Sequence, residues 1–365
     1  MHVVVKIGTN VLSNADGTLD AKWIGLLVGK LVAWHTSGWQ VVMVSSGSIG
    51  AGIGHLGWKE RPKTVRDKQA AAAVGQVQLM GIYNSLFNAL HVKIAQILLT
   101  REDLMDHKRY LNTRNTIMAL LDLGIIPIIN ENDTVSVDEI VLGDNDTLAA
   151  IVSMKVEAQK LIILTDVDGL YSCDPKTNSA RELIAVVEKI GPEIEKLCSS
   201  KAGSIASIGG MQTKIQAAKV ATRAGVEVII ANGRKENTLD DIFANKAVGT
   251  TFVPEKNSLK SKKRWIAFGA KIKGKIVIDD GAVNALSQNN KSLLPAGIVS
   301  VQGQFASGDI VSIMDLKKQE IARGISSYSS DEIGRTKGKK TTEIKDIIQK
   351  TGYSEVIHRD NLVIL

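Results

Sequence analysis

Residues 125–147, Ile125-Ile126-Pro127-Ile128-Ile129-Asn130-Glu131-Asn132-Asp133-Thr134-Val135-Ser136-Val137-Asp138-Glu139-Ile140-Val141-Leu142-Gly143-Asp144-Asn145-Asp146-Thr147, run from an apolar stretch through an acidic loop. They lead into Leu148-Ala149-Ala150-Ile151-Val152, which has helical periodicity. The order reads as strand, loop and helix. An unbroken Ile run suits a strand buried on both faces, as in a parallel sheet covered by helices. The loop, Asn130–Thr147, holds six acidic residues and no basic one in a chain of net charge +7. Taken alone it is a solvated turn with Asp146 as a helix N-cap. At the carboxyl end of a buried strand, that many carboxylates and amides call for a cationic partner.

Working outward, strand-length apolar runs recur at Val3–Val5, Val41–Val44, Ile94–Leu99, Leu161–Leu164 and Val226–Ile230. Between them Ile24–Ala33, Gln69–Leu90, Asn112–Leu121, Thr147–Val156 and Met211–Arg223 carry helical spacing. The alternation predicts an α/β fold, an open and mostly parallel sheet sandwiched by helices. Five of the strands end in small, polar or glycine residues: Lys6-Ile7-Gly8-Thr9-Asn10, Ser45-Ser46-Gly47-Ser48, Asn130-Glu131-Asn132-Asp133, Thr165-Asp166-Val167-Asp168-Gly169 and Ala231-Asn232-Gly233. In open α/β sheets the ligand crevice lies at such carboxyl ends.

The pattern changes near residue 260. A charged stretch, Pro254–Arg264, gives way to short alternating segments such as Lys275–Asp279 and Asp309–Ile313, punctuated by Gly281, Pro295-Ala296-Gly297, Gly303 and Gly308. This predicts a small β-rich, barrel-like second domain. The expected partition is a catalytic domain over 1–258, a basic linker over 259–271 and the β-rich domain over 272–365.

Composition excludes several classes. Apolar content of 44% and charged content of 23% suit a soluble globular protein. No apolar run nears the roughly 20 residues of a membrane span. Cys173 and Cys198 form neither a metal spacing nor a disulfide framework, and no signal-peptide layout opens the chain, so a cytoplasmic location is expected. The positive charge is local: residues 256–275 hold eight basic residues and no acid, leaving 37 basic against 38 acidic elsewhere. A nucleic-acid role for the whole chain is therefore excluded, and one for this segment is not.

Gly52-Ile53-Gly54-His55-Leu56-Gly57 matches a dinucleotide-binding pattern, but it lies beyond the strand end and lacks the second strand with its terminal acid. A P-loop motif is absent. A different phosphate cradle is present at Ile208-Gly209-Gly210-Met211-Gln212-Thr213-Lys214, where two glycines precede a helix whose N-terminus attracts anions. Lys214 in that first turn opposes the helix dipole, which calls for an anion in front of it. Lys6 beside Gly8 is a second such cation. Two lysines from opposite halves of the domain form a clamp for a transferring phosphoryl group, whose transfer depends on positioning and charge stabilisation.

These motifs, in this order, resemble the amino acid kinase family. The carriers are Lys6-Ile7-Gly8-Thr9, Ser45-Ser46-Gly47, Asn130–Asp133, Gly143–Asp146, Thr165–Tyr171 and Gly209–Lys214. The tail, with Gly281-Ala282 and Ser292–Ile298, resembles a PUA domain.

The resemblance implies an ATP-dependent kinase that phosphorylates the side-chain carboxylate of L-glutamate, opening proline biosynthesis. Lys6 and Lys214 would stabilise the phosphoryl group and Asp146 would organise both lysines. Ser46, Asn130, Asp133 and Asn145 would bind glutamate. Lys6, Thr165, Asp166, Tyr171, Asp174, Lys176 and the loop Ile208, Gly209, Gly210, Met211, Gln212, Thr213 and Lys214 would bind ATP. Ile208 stands where the family often has threonine, which removes a hydroxyl from the phosphate loop. Magnesium, held largely by nucleotide phosphates, a homo-oligomer and feedback inhibition by proline are implied in the same way.

Two alternatives stay open. One is another acceptor within the family: aspartate, acetylglutamate, carbamate or UMP. The other is an RNA-binding protein acting through the PUA-like tail. Against the second, the tail is sparse in stacking aromatics, with Phe305, Tyr328 and Tyr353.

Overall fold

The computed structural model describes residues 1–14, 16–135, 145–172, 182–199, 210–255, 263, 266–267, 271–289, 291–339 and 355–365. The chain forms two compact units, Met1–Leu104 with Lys108–Ser258, and Met105–His107 with Leu259–Leu365.

The first unit is built on a sheet of eight strands: β1 (His2–Ile7), β2 (Gln40–Ser45), β3 (Ile94–Leu99), β4 (Ile126–Glu131), β5 (Lys160–Thr165), β6 (Val186–Val187), β7 (Glu227–Asn232) and β8 (Thr250–Phe252). Their order across the sheet is β3-β4-β2-β1-β5-β7-β8-β6. Pairing is parallel from β3 through β7, and β8 runs antiparallel to β7. The helices are α1 (Thr9–Leu12), α2 (Ala21–Thr36), α3 (Ser48–His55), α4 (Val65–Ala89), α5 (Arg101–Met105), α6 (His107–Asp122), α7 (Asn145–Lys155), α8 (Pro192–Ser199), α9 (Met211–Arg223) and α10 (Thr238–Phe243).

Residue parity divides the core. Val3, Val5 and Ile7 of β1 join Val41, Met43, Ile128, Ile162 and Leu164 in a cluster with Ile24, Leu27 and Leu31 of α2 and Leu79, Tyr83 and Phe87 of α4. Val4 and Lys6 alternate to the opposite face, which α7 covers. Both faces of the central strands are buried, and this accounts for their continuous Val/Ile runs. All six apolar runs expected as strands are strands: β3 has the expected bounds, β1, β2 and β5 extend beyond theirs at both ends, and β4 and β7 start one residue later and end two later. The short β6 and β8 carry no comparable apolar run and were not expected.

In the second unit β9 (Ile272–Ile278), β10 (Ile298–Gln302), β11 (Ile310–Met314), β12 (Glu320–Ile325) and β13 (Leu362–Ile364) form a sheet in the order β10-β9-β11-β12-β13. Helices α11 (Asp280–Ser287) and α12 (Ser330–Thr336) accompany it, and α12 begins with a Ser329–Glu332 capping box. Its core holds Ile276, Ile278, Val311, Ile313, Tyr328, Ile333, Val356 and Ile357. Among the described residues no helix is long and apolar enough to cross a membrane.

Candidate active site

Lys6 is the penultimate residue of β1, and its parity turns it toward α7. There Asp146, completely buried, stands between two lysines. Its Oδ1 lies 2.7 Å from Lys6 Nζ and its Oδ2 lies 3.0 Å from Lys214 Nζ. The Thr213 hydroxyl is also 3.0 Å from Oδ2 and 2.8 Å from the Gly210 carbonyl, two acceptors for one proton. Lys6 is only 3% and Lys214 4% exposed, so the shared carboxylate keeps two buried ammonium groups together at the strand ends. Removing one member of such a set leaves a buried charge without its partner, at a cost of about 3–5 kcal/mol.

The helix begins at Asn145, so Asp146 is its second residue and not the N-cap expected from the loop. The carboxylate faces the lysines, and the geometry corrects the capping role. Lys214 is the fourth residue of α9, whose N-cap is Gly210. The anion that its unfavourable dipole position called for is Asp146. Met211 is half-buried and Gln212 exposed in the same turn. Ile208, Gly209, Asp174 and Lys176 lie outside the described residues.

A second cluster lies at the ends of β2 and β4. The Asn145 amide nitrogen donates toward the Ser45 carbonyl at 3.0 Å, the Ser46 hydroxyl at 2.9 Å and Asn130 Oδ1 at 3.0 Å. Asn145 Oδ1 is buried and has no hydrogen-bond partner among the described residues. Close by, Asp133 accepts a 2.9 Å hydrogen bond from the Ser48 hydroxyl. Burial pushes the Asp133 carboxyl above the ordinary carboxylate range, against the opposing effect of that bond. Ser46, Asn130, Asp133 and Asn145, expected together from sequence, are brought to one end of the sheet.

Two glycines make this approach close. A Cβ on Gly75 of α4 would lie 1.8 Å from the Ser48 carbonyl, and one on Gly52 of α3 would lie 1.8 Å from the Ala71 carbonyl. The two helices cross backbone to backbone, which seats the N-terminus of α3 beside the strand ends. Gly52 of the dinucleotide-like pattern therefore serves helix packing, and Gly57, at φ +68°, forms the turn after α3.

At the end of β5 the Thr165 hydroxyl donates to Asp166 Oδ1 at 3.1 Å, and Asn10 donates to Asp166 Oδ2 at 2.8 Å. Burial would raise the Asp166 carboxyl, but hydrogen bonds from Asn10, its own backbone and Thr165, with the Lys214 charge, hold it low. Tyr171 belongs to a neighbouring cluster, its hydroxyl 3.3 Å from Asp168 Oδ2. Lys235, 2.8 Å from Asp168 Oδ1, and the Asn232 amide keep that carboxylate below its usual range. A cleft of about 660 Å³ lined by residues including Thr9, Asn10, Gly50, Trp58, Asp166 and Arg234 opens alongside. Among the described residues no three His, Cys, Asp or Glu side chains gather as a ready-made metal cage.

Sequence reasoning missed Ser48, Gln76, Asn10 and Arg234. Ser48 and Asn10 stand within the quoted strand-end motifs, and only the structure gives them a role. Arg234 follows the Asn232-Gly233 strand end, donating to Asp20 at 2.8 Å and to the Asn10 carbonyl at 3.2 Å, and it secures α1, which carries Asn10. Gln76 is one of several polar residues in its helix, with Gln69, Gln78 and Asn84, and nothing local marks it.

An open parallel sheet whose carboxyl edge carries a buried Lys–Asp–Lys bridge beside a glycine-led helix N-terminus is the site of a phosphotransferase. Residues 1–232 match the model of the amino acid kinase family, to which the chain belongs, and residues 274–348 match the PUA domain. Among curated proteins it is similar to the glutamate 5-kinase of Thermoanaerobacter sp. (strain X514), 49% identical over 100% of this chain and 98% of that protein. The glutamate 5-kinase of Moorella thermoacetica is 47% identical, over 100% of this chain and 96% of that protein. Among solved structures, carbamate kinase from Giardia lamblia bound to AMP-PNP aligns with a TM-score of 0.50 at 20% identity, covering 70% of this chain and 98% of that one.

Proposed function

We propose that the protein catalyses ATP-dependent phosphorylation of L-glutamate to L-glutamyl 5-phosphate, the reaction that opens proline biosynthesis. The observation that carries the reading is the buried Lys6–Asp146–Lys214 bridge, adjoining an amide cluster that leaves Asn145 Oδ1 as an acceptor. End-to-end similarity to glutamate 5-kinases supports the choice of acceptor.

In this reading Asp133 pairs with the α-ammonium of glutamate, a charge-assisted contact shared with Asn145 Oδ1, and Ser46 and Asn130 hold the remaining polar groups. A glutamate side-chain oxygen attacks the γ-phosphorus of ATP. The new O–P bond forms as the bond to the ADP oxygen breaks. The attacking carboxylate is already ionised near neutral pH, so no general base is needed. Lys6 and Lys214 neutralise charge on the moving phosphoryl group, and Asp146 holds both ammonium groups in register. Lys6, Thr165, Asp166, Tyr171, Asp174, Lys176 and the segment 208–214 bind the nucleotide.

A divalent cation accompanies ATP in such a reaction, and we assign magnesium. Its ligands would be chiefly nucleotide phosphates and water, in keeping with its preference for octahedral oxygen coordination. The partition into a catalytic domain over 1–258, a linker over 259–271 and a PUA-like domain over 272–365 belongs to the same reading. So do a cytoplasmic location, a homo-oligomer and inhibition by proline.

Glutamate-dependent ADP release, measured with and without proline and against aspartate, acetylglutamate, carbamate and UMP, tests the proposal. Turnover restricted to another acceptor would refute it.

A further inference from the structure

Helix α4 takes no part in the lysine–aspartate bridge, yet it carries a buried polar side chain directly behind the amide cluster. Gln76 is 8% exposed, and its Oε1 accepts from the Asn130 amide nitrogen at 2.9 Å. Asn130 Oδ1 in turn accepts from the Glu131 backbone N–H at 2.9 Å and from Asn145 Nδ2 at 3.0 Å. Asn145 Nδ2 also lies 3.0 Å from the Ser45 carbonyl.

The two ends of this relay have fixed polarity. The Glu131 N–H can only donate and the Ser45 carbonyl can only accept, so the orientation of each amide between them is determined by chemistry. Asn130 must turn its oxygen to Glu131, and Asn145 must turn its nitrogen to Ser45. Asn145 Oδ1 is thereby left over, buried and without a partner among the described residues. A buried acceptor in that state costs free energy until a donor arrives. The oxygen therefore selects a ligand that brings an N–H.

Gln76 supports this arrangement from behind. It is the acceptor for the Asn130 amide nitrogen, and Asn130 is itself only 2% exposed. Without it, the cheapest relief for that nitrogen is rotation of the Asn130 amide. Rotation sets one NH2 against another at Asn145 and against the Glu131 N–H. The depth of Gln76 is set by its neighbour Gly75, where the backbones of α3 and α4 meet.

We infer that Gln76 is a positioning residue for substrate selection: through Asn130 it fixes Asn145 with its carbonyl oxygen toward the ligand, so that the site takes an acceptor bearing a free α-ammonium. The inference rests on the glutamate-kinase reading and deepens it.

The test compares Gln76→Met, of similar length but with no acceptor, with Gln76→Glu, which keeps an oxygen facing Asn130. Each is assayed with glutamate and with glutarate, the same dicarboxylate without its amine. Wild-type turnover of glutamate is measured first; its failure would sink the underlying reading, independently of the variants. Gln76→Met should raise the glutamate KM about tenfold, the usual scale for one buried acceptor lost, and leave the KM for ATP unchanged. It should also shrink the glutamate-over-glutarate ratio of kcat/KM by a similar factor, whereas Gln76→Glu should hold both near wild type. Loss of both variants alike, or a common rise in the KM of glutamate and ATP without a change in that ratio, would overturn the proposal. So would a folded Gln76→Met protein, checked by circular dichroism, that keeps wild-type selectivity.

Discussion

Replacing Lys155 by methionine should stabilise the first unit, and by an amount that depends on pH. Lys155 ends α7, the helix that carries Asn145 and Asp146, and is 1% exposed. Its Nζ has no hydrogen-bond partner among the described residues and sits 4.2 Å from the centre of the Tyr110 ring. Burial, offset in part by the Asp103 charge, pulls the ammonium down from 10.5 to about 7.

Folding therefore releases a proton between those two values. The unfolded chain holds a proton that the folded chain lacks, so stability rises with pH from about 7 to about 10.5 and is lowest below 7. At about 1.36 kcal/mol per tenfold change in proton affinity, the full displacement corresponds to about 5 kcal/mol at most. Methionine has a similar length and no charge. After relaxation of the surroundings the gain at neutral pH should be roughly 1–4 kcal/mol, the range seen when buried charge is replaced by well-packed apolar groups.

Urea unfolding followed by tryptophan fluorescence is the assay, because Trp34 lies in the core of this unit at 2% exposure. From pH 8 to pH 9 the advantage of Lys155→Met over wild type should shrink by about 1.4 kcal/mol, the slope for one proton. Parallel pH profiles, or a variant less stable than wild type at pH 7.5, would refute the reasoning.

Lys214→Ala should reduce kcat by roughly 10²–10³, or about 2.7–4 kcal/mol, by analogy with the loss of one transition-state donor; near-normal glutamate-dependent ADP release would remove it from the mechanism. Asp133→Ala should chiefly raise the KM for glutamate, which steady-state kinetics at saturating ATP would detect. Because burial raises the Asp133 carboxyl, wild-type affinity for glutamate should weaken as pH falls, and at a higher pH than for an ordinary carboxylate; a KM flat from pH 8 to 5 would contradict this. Gly75→Ala should cost about 2–3 kcal/mol, at the scale of overpacking, because the added carbon would lie 1.8 Å from the Ser48 carbonyl, and thermal unfolding should show the loss.

Much of this molecule is local information. Continuous Val/Ile runs fix the parallel strands, because only strands covered on both faces tolerate them, and the polar residues that end those strands mark the functional edge of the sheet. The Gly-Gly-to-helix motif identifies the start of α9 at Met211. The charge of Asp146 is visible in the sequence, and the family resemblance names Lys6 and Lys214 as its partners, but its loop read alone makes it a helix cap. A helix cap and a bridge between lysines use the same residue, and the parity of Lys6 in β1 with the packing of α7 over β1 settled which it is. Gln76, Ser48 and Arg234 act at sequence separations of 54, 85 and 224 from Asn130, Asp133 and Asn10. Residue type and spacing determine which side chains reach the edge of the sheet; only the crossing of α3 and α4 at Gly52 and Gly75 decides which buried groups orient them, because hydrogen-bond polarity is set by neighbours in space and leaves no period in the chain.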